Sequence, residues 1–128
     1  NAKCQKFFTK KEDGLAQDWK GHTVFCCPPS GRGNLRRWVQ KAAKEAKKKG
    51  TTVVMLLPVS TDSKWFQENI YLQPGVKIKF LPERVKFVNS LLPSYASYGQ
   101  SSSAKVCGGT RPSMVVTFDG SKHKFRCE

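Results

Sequence analysis

The stretch "TVFCCPPSGRGNLRRWVQKAAKEAKKKGTTVVMLL", residues 23–57, decides the fold. Its first part, Thr23 to Cys27, is β-branched and aromatic and ends where two prolines remove backbone donors, which predicts a buried strand. The middle part, residues 34–50, has apolar side chains at three- and four-residue intervals and predicts an amphipathic helix. The last part has no polar alternation and predicts a strand covered on both faces. Strand, helix and strand in this order are typical of a right-handed crossover between parallel strands.

The predicted helix has two different faces. We expect Asn34 to cap it and Gly50 to end it. Its apolar residues mark the buried face: Leu35, Val39, Ala42 and Ala46. Its cations recur at the same spacing and form one stripe, which consists of Arg37, Lys41, Lys44 and Lys48, flanked by Arg36 and Lys47. A stripe of this kind is either a solvated surface or a binding surface for an anionic ligand.

Three further elements follow the second strand. Residues 60–70, "STDSKWFQENI", predict a short helix with Ser60 or Thr61 as its cap. The segments "VKIKFL" (76–81) and "RVKFV" (84–88) alternate in hydropathy, so we expect two strands that each have one wet face.

The remaining segments complete an α/β fold. Residues 89–112 are mostly Ser, Gly, Tyr and Pro, which indicates a long loop. "SMVVTF" (113–118) and "HKFRC" (123–127) predict a hairpin around "DGS". We therefore expect one domain over residues 1–128, with a mixed but mainly parallel sheet, flanking helices and an antiparallel edge hairpin. Ligands of such sheets bind at the carboxyl ends of the strands, where "CCPPSGRG" lies.

The charge of the chain limits its partners. Lys and Arg outnumber Asp and Glu by 23 to 9, which gives a net charge of +14. Such an excess attracts polyanions, among them nucleic acids, acidic glycans and anionic lipid surfaces. No apolar run approaches the roughly 18 residues that a membrane span needs. His22 and His123 stand apart from other metal-ligating residues, so we expect no metal site.

Five cysteines in a chain of 128 residues favour an oxidising, extracellular compartment. All of them are disulfide candidates: Cys4, Cys26, Cys27, Cys107 and Cys127. The odd count leaves one thiol free, or able to link two chains as a homodimer. Because Cys26 and Cys27 are adjacent on a predicted strand, their side chains should point to opposite faces. The chain begins at Asn1 without a signal-like segment, which indicates a processed product or an excised fragment.

A strand that ends in X-Pro-Pro-Z before a turn and an amphipathic helix resembles the catalytic loop of amino-group DNA methyltransferases. Six segments, in this order, resemble the phage-type N6-adenine methyltransferase family: "DGLAQDWKG", "VFCCPPSG", "WVQKAAKEAKKKG", "VVMLLPVSTDSKWFQENI", "IKFLPERVKF" and "RPSMVVTF". The similarity runs from Asn1 to about Phe118. It implies a fold derived from the Rossmann-like methyltransferase sheet.

The same resemblance implies a degenerate catalytic motif. In the family, Asp or Asn at the first position accepts hydrogen bonds from the amino group of adenine, and an aromatic fourth residue stacks on the flipped base. This chain has Cys27, Pro28, Pro29 and Ser30 at the four positions. A thiol is a poor acceptor and a serine has no ring, so we expect no catalysis. The family's segment for S-adenosylmethionine lies upstream of the part that resembles "NAKC", so we expect no cofactor.

These observations favour a secreted, catalytically inactive methyltransferase-like protein that binds a glycan, as a lectin does, or another polyanion such as a nucleic acid. The candidate ligand-binding residues lie on the turn, the helix and the later loop: Ser30, Arg32, Arg36, Arg37, Lys41, Lys44, Lys48, Tyr95 and Tyr98. Two alternatives stay open. One is a DNA N6-adenine methyltransferase or a fragment of one, and the other is a disulfide-linked structural or matrix protein.

Overall fold

A computed structural model describes residues 4–29, 31–87, 107–108 and 111–120. Within these ranges the chain forms a mixed α/β structure. Its elements are, in chain order, β1 (Thr23–Cys26), α1 (Asn34–Glu45), β2 (Thr52–Pro58), α2 (Lys64–Asn69), β3 (Val76–Phe80), β4 (Lys86–Phe87), β5 (Cys107–Gly108) and β6 (Ser113–Asp119).

Four strands form one mixed sheet in the order β1-β2-β6-β3. β1 and β2 are parallel, with Cys26 opposite Met55, which confirms that a helix connects two adjacent parallel strands. β6 is antiparallel to both β2 and β3. The prediction of a mainly parallel sheet is therefore wrong, because β6 lies beside β2 and runs against it. β4 and β5 pair separately as a two-stranded sheet.

The predicted edge hairpin is also wrong for β6. Both neighbours of this strand are β2 and β3, so β6 is an interior strand of the sheet. Its register with β2 runs from Pro58 opposite Ser113 to Thr52 opposite Asp119. Residues 123–127, the second half of the predicted hairpin, lie outside the described residues.

β1 lies at an edge of the four-stranded sheet and differs from the buried strand that its composition predicts. Only Cys26 is buried in it, and Phe25 is 66% exposed. β1 has one neighbouring strand, and the adjoining helix covers one of its two faces. The apolar side chains of the strand therefore pack on that face alone. The edge position of β1 leaves the Phe25 ring in solvent.

The core lies between α1 and the two central strands. α1 buries Val39 and Ala42 completely, and Ala46 follows at its end. From the sheet, β2 contributes Val53, Met55 and Leu57, and β6 contributes Met114, Val116 and Phe118, all at most 1% exposed. The other residues of β2 are half-buried, so one face of this strand is fully covered and the other in part.

The two helices begin within a few residues of their predicted caps. Gly33, with φ of 80°, is the residue before α1, and Asn34 is its first residue. Glycine adopts this left-handed conformation at little cost, which explains its place at the turn. α2 begins at Lys64 after Ser63, four residues later than the first predicted cap, Ser60.

Gly120, just after β6, packs closely against the end of α1. An added Cβ would be 1.8 Å from the Ala46 carbonyl oxygen.

Candidate nucleic-acid interface

The end of β1 places two cysteines in different surroundings. Cys26 is buried and Cys27 is exposed, whereas the opposite orientation of their side chains stays a prediction. Pro28 is half-buried and Pro29 is exposed, so the strand leaves the sheet at these two residues. Because a proline has a fixed φ and no N–H, it ends the strand without leaving an unpaired donor.

The thiols at this turn are protonated near neutral pH. Burial raises the pKa of the Cys26 thiol to about 12, and the neighbouring Cys27 adds to the shift. Desolvation also raises the pKa of the Cys27 thiol. A thiolate is the reactive form of cysteine, so neither residue is suited to act as a nucleophile. Cys4, Cys26 and Cys27 are free thiols in the structure.

Several strand ends lie together near the Pro-Pro turn. Because β1 and β2 are parallel, their carboxyl ends, Cys26 and Pro58, lie at the same end of the sheet. The start of β6 meets the end of β2 there, since Ser113 is opposite Pro58. The end of β3 lies at this end of the sheet as well, because the Leu81 N–H donates to the Ser113 carbonyl at 3.0 Å. The motif thus lies where parallel strands commonly bind ligands.

A cleft of about 560 Å³ runs along the outer edge of β1. Its lining includes Phe7, Phe25, Trp38 and Cys27. Phe7 and Phe25 are 58% and 66% exposed, so their rings are open to a ligand. Neither residue is among those predicted to bind a ligand. The available signal for Phe7 was the aromatic pair "FF" at residues 7–8, and Phe25 lies in the predicted strand "TVFCC".

The predicted cation stripe of α1 divides into two groups. Lys41 binds the buried Glu45 carboxylate at 2.5 Å and donates to the Gln17 carbonyl at 2.6 Å. Lys48 binds Glu45 at 2.6 Å and Asp18 at 2.8 Å. These two lysines therefore hold α1 against the segment before β1. Their inclusion among the ligand-binding residues is not supported by their positions, because their ammonium groups already have carboxylate partners.

Glu45 is the centre of this network. It is 2% exposed and accepts a backbone hydrogen bond from Trp19 at 3.4 Å. Desolvation acts to raise the pKa of the Glu45 carboxyl, but the hydrogen bonds from Lys41 and Lys48 outweigh it, so the pKa is lowered. The Trp19 ring stacks on Trp38 with centroids 6.3 Å apart. The segment before β1 is thus fixed to α1 by charge and by aromatic packing.

The second group of cations faces solvent. It consists of Arg32 on the turn, Arg36, Arg37 and Lys44 on α1, and Lys47 just after it, all of them exposed. Among the described cations of α1 and of residues 46–50, ion pairs involve Lys41 and Lys48. Arg36, Arg37, Lys44 and Lys47 have no acidic partner in this part of the chain.

Several predicted residues lie outside the description. They are Ser30, Tyr95, Tyr98 and Cys127, and Cys107 is described by its backbone alone, as part of β5. The disulfide bonds proposed for Cys107 and Cys127 stay predictions. Across the described ranges, no group of three or more His, Cys, Asp or Glu side chains could hold a metal ion. No described helix is long and apolar enough to cross a membrane.

The fold and the site together define an α/β protein in which a strand ends in a Pro-Pro turn and leads into a basic helix. A family described as DNA N-6-adenine-methyltransferase (Dam) matches residues 1–125. The chain belongs to this family. A DNA N-6-adenine-methyltransferase of Haemophilus phage HP1 (strain HP1c1) is 27% identical over 120 residues, which cover 93% of this chain and 61% of the relative. No solved structure matches the chain.

These comparisons confirm the resemblance and correct the function drawn from it. The family and the relative are both named for an enzyme, so the interpretation as a catalytically inactive, lectin-like binding protein is wrong. The prediction of inactivity rested on Cys27 and Ser30 in the motif and on the position of the family's cofactor segment. Neither glycan binding nor a disulfide-linked homodimer has support, whereas a nucleic-acid partner fits the family. The extracellular location stays a prediction.

The cleft beside β1 offers no free carboxylate to the amino group of S-adenosylmethionine, the cofactor of the family that the sequence resembles. The carboxylate that lines the cleft belongs to Asp18, and it is already engaged. It accepts hydrogen bonds from the Lys48 side chain at 2.8 Å and from the Lys20 N–H at 3.0 Å. The bond from Lys48, together with that from Lys20, lowers the pKa of Asp18 to about 2. A carboxylate held in this way is poorly placed to bind the amino group of a cofactor.

Proposed function

We propose that the chain acts in the methylation of the N6 amino group of adenine in DNA, with its Pro-Pro turn facing the target base. The observation that carries the proposal is the family match over residues 1–125. The chain spans about 61% of the length of the phage relative. That this chain shares the activity of the whole relative is therefore part of the proposal. The sheet supports it, because β1, α1 and β2 form the parallel crossover on which a Rossmann-like fold is built.

The chemistry of the Pro-Pro turn suits an amino group. The N6 group of adenine donates two hydrogens, and a partner must therefore accept them. Pro28 and Pro29 keep their carbonyl oxygens but have no N–H, so this part of the backbone offers acceptors and no competing donors. The exposure of Pro29 and the partial exposure of Pro28 leave the turn accessible from solvent.

The departures from the family motif determine how strongly the base is held. The protonated Cys27 thiol is a weaker acceptor than a carboxylate, so the backbone carbonyls carry more of the recognition. Ser30 has no ring, but the cleft that Cys27 lines also contains Phe7 and Phe25. Stacking of a base on an aromatic ring is worth about 1–3 kcal/mol. We infer that these exposed rings supply the stacking that the fourth motif position lacks.

The test is the identity of the methylated nucleoside. The chain is incubated with unmethylated DNA and S-adenosylmethionine that carries a labelled methyl group, and the DNA is digested and analysed by mass spectrometry. The proposal predicts labelled N6-methyldeoxyadenosine, and less of it when Pro28 and Pro29 are replaced by alanine. Label on the exocyclic amino group of cytosine would keep the amino-group chemistry and contradict adenine as the target. Absence of labelled nucleoside from DNA that the chain binds would contradict the proposal.

A further inference from the structure

We propose that the solvent-facing side of α1 binds the phosphate backbone of the DNA substrate. The contact face, as we call it, consists of Arg36, Arg37 and Lys44 on α1 and of Lys47 just after its end. The inference rests on the proposed function, since it names the surface by which the same substrate is held. It separates these four cations from Lys41, which lies on α1, and from Lys48, which follows the helix.

The four side chains of the contact face are free to bind an anion. Each is exposed, and within the described residues none has a carboxylate partner. Lys41 and Lys48, in contrast, lie within 2.8 Å of the carboxylates of Glu45 and Asp18. The carboxylates of Asp18 and Glu45 therefore neutralise Lys41 and Lys48 and leave the positive charge of the four contact-face residues uncompensated. Such a surface gains most when it meets a partner of high negative charge density.

The contact face begins close to the Pro-Pro turn and continues along α1. α1 begins just after the Pro-Pro turn, so Arg36 and Arg37 lie near the edge of the sheet that carries Cys27. Lys44 is eight residues beyond Arg36, a distance of about 12 Å along the helix axis. In DNA each strand carries one phosphate per about 3.4 Å of axis, so this distance spans roughly three to four base steps. A duplex whose target base enters at the turn can thus place successive phosphates along α1.

The nature of the cations favours a phosphate backbone over an apolar surface. The contact face carries two arginines, which can bind phosphate with two parallel hydrogen bonds, and two lysines, which act as point charges. The helix offers no exposed large hydrophobic residue that would insert into a lipid surface, since the exposed aromatic and aliphatic residues of the described chain lie elsewhere. We therefore commit to DNA as the partner, bound through its phosphates.

The experiment measures duplex binding by fluorescence anisotropy over a range of salt concentrations. The test variant combines Lys44→Gln with Lys47→Gln, and the matched control combines Lys79→Gln with Lys86→Gln. Both variants lose the same charge at exposed positions, but Lys79 and Lys86 lie on β3 and β4 and not on α1. All three proteins are also titrated with heparin and with phosphatidylserine vesicles, and their melting temperatures are compared.

The two variants should differ. The test variant should bind the duplex about tenfold more weakly, and its slope of log K against log salt should fall by about 2, because two phosphate contacts are lost. The control should stay within about threefold of the wild-type chain. Equal losses in both variants would show attraction by net charge and would overturn this inference alone. Failure of the wild-type chain to bind DNA, with or without binding to heparin or vesicles, would overturn the proposed function as well.

Discussion

Replacing Glu45 by glutamine removes the negative charge on which the packing of α1 against the segment before β1 depends. Glu45 is 2% exposed and binds Lys41 at 2.5 Å and Lys48 at 2.6 Å. Glutamine has nearly the same shape, but its NH₂ group would face ammonium groups that can only donate. The Lys41 side chain is 16% exposed, so it would lose its charged partner in a place where water replaces it poorly.

The expected loss of stability follows from this geometry. Breaking a fully buried ion pair by removing one partner costs about 3–5 kcal/mol. Because the side chain of Lys48 is 34% exposed and keeps part of its hydration, we expect the lower end, about 3 kcal/mol. For a domain of this size that corresponds to a fall in Tm of roughly 10 °C.

The assay is thermal and urea unfolding followed by circular dichroism. The matched control is Lys44→Gln, on the same helix, which removes a charge that has no acidic partner among the described residues and should change stability by less than about 0.5 kcal/mol. Equal stability of the Glu45→Gln variant and the wild-type chain would refute the reasoning. It would mean that the carboxylate is an incidental neighbour of the two lysines rather than the group that fixes α1.

Three further predictions concern acid stability, the motif and the core. The pKa of Glu45 is lowered from its ordinary 4.5, so its contribution is present above that pH and is lost as the pH falls through the folded-state value; acid unfolding curves should show a smaller pH dependence for Glu45→Gln. Cys27→Asp should raise the affinity for DNA with an unpaired adenine about fivefold in a binding titration, because hydrogen bonds to charged acceptors exceed neutral ones by about 1 kcal/mol. Gly120→Ala should cost more than about 2 kcal/mol in urea unfolding, since its Cβ would meet the Ala46 carbonyl oxygen at 1.8 Å; unchanged stability would show that the backbone moves aside.

The central unit β1-α1-β2 could be predicted because its signals are local. The spacing of apolar residues changes at the boundaries between β1, α1 and β2, and the prolines and Gly33 mark the turn. The order of the strands could not be predicted. β6 pairs with β2 although residues such as Val53 and Phe118 lie far apart in sequence. The hydropathy of a strand does not indicate which other strand it will pair with. The edge position of β1, and with it the exposure of Phe25, follows from that pairing and from nothing in the strand itself.

The candidate site shows the same division. The Pro-Pro turn and the basic helix follow from the sequence, but the division of the cations does not. Lys41, Lys44 and Lys48 recur at helical spacing and are equivalent until the fold brings Asp18 to one side of the helix. Glutamate is a residue type that usually lies at the surface, and only tertiary packing buries Glu45. Spacing therefore identifies a charged helix, whereas the free part of its charge depends on the segment that packs against it.

The central claim is that the Pro-Pro turn recognises the amino group of adenine, and one binding comparison tests it most directly. Two duplexes are identical except for one extrahelical base, which is adenine in the first and purine, without the 6-amino group, in the second. The account predicts that the wild-type chain binds the adenine duplex several-fold more tightly, because an amino group that meets acceptor carbonyls gains about 0.5–1.5 kcal/mol. Equal affinity for the two duplexes would contradict the claim, since the chain would then bind DNA without reading the group that the family methylates.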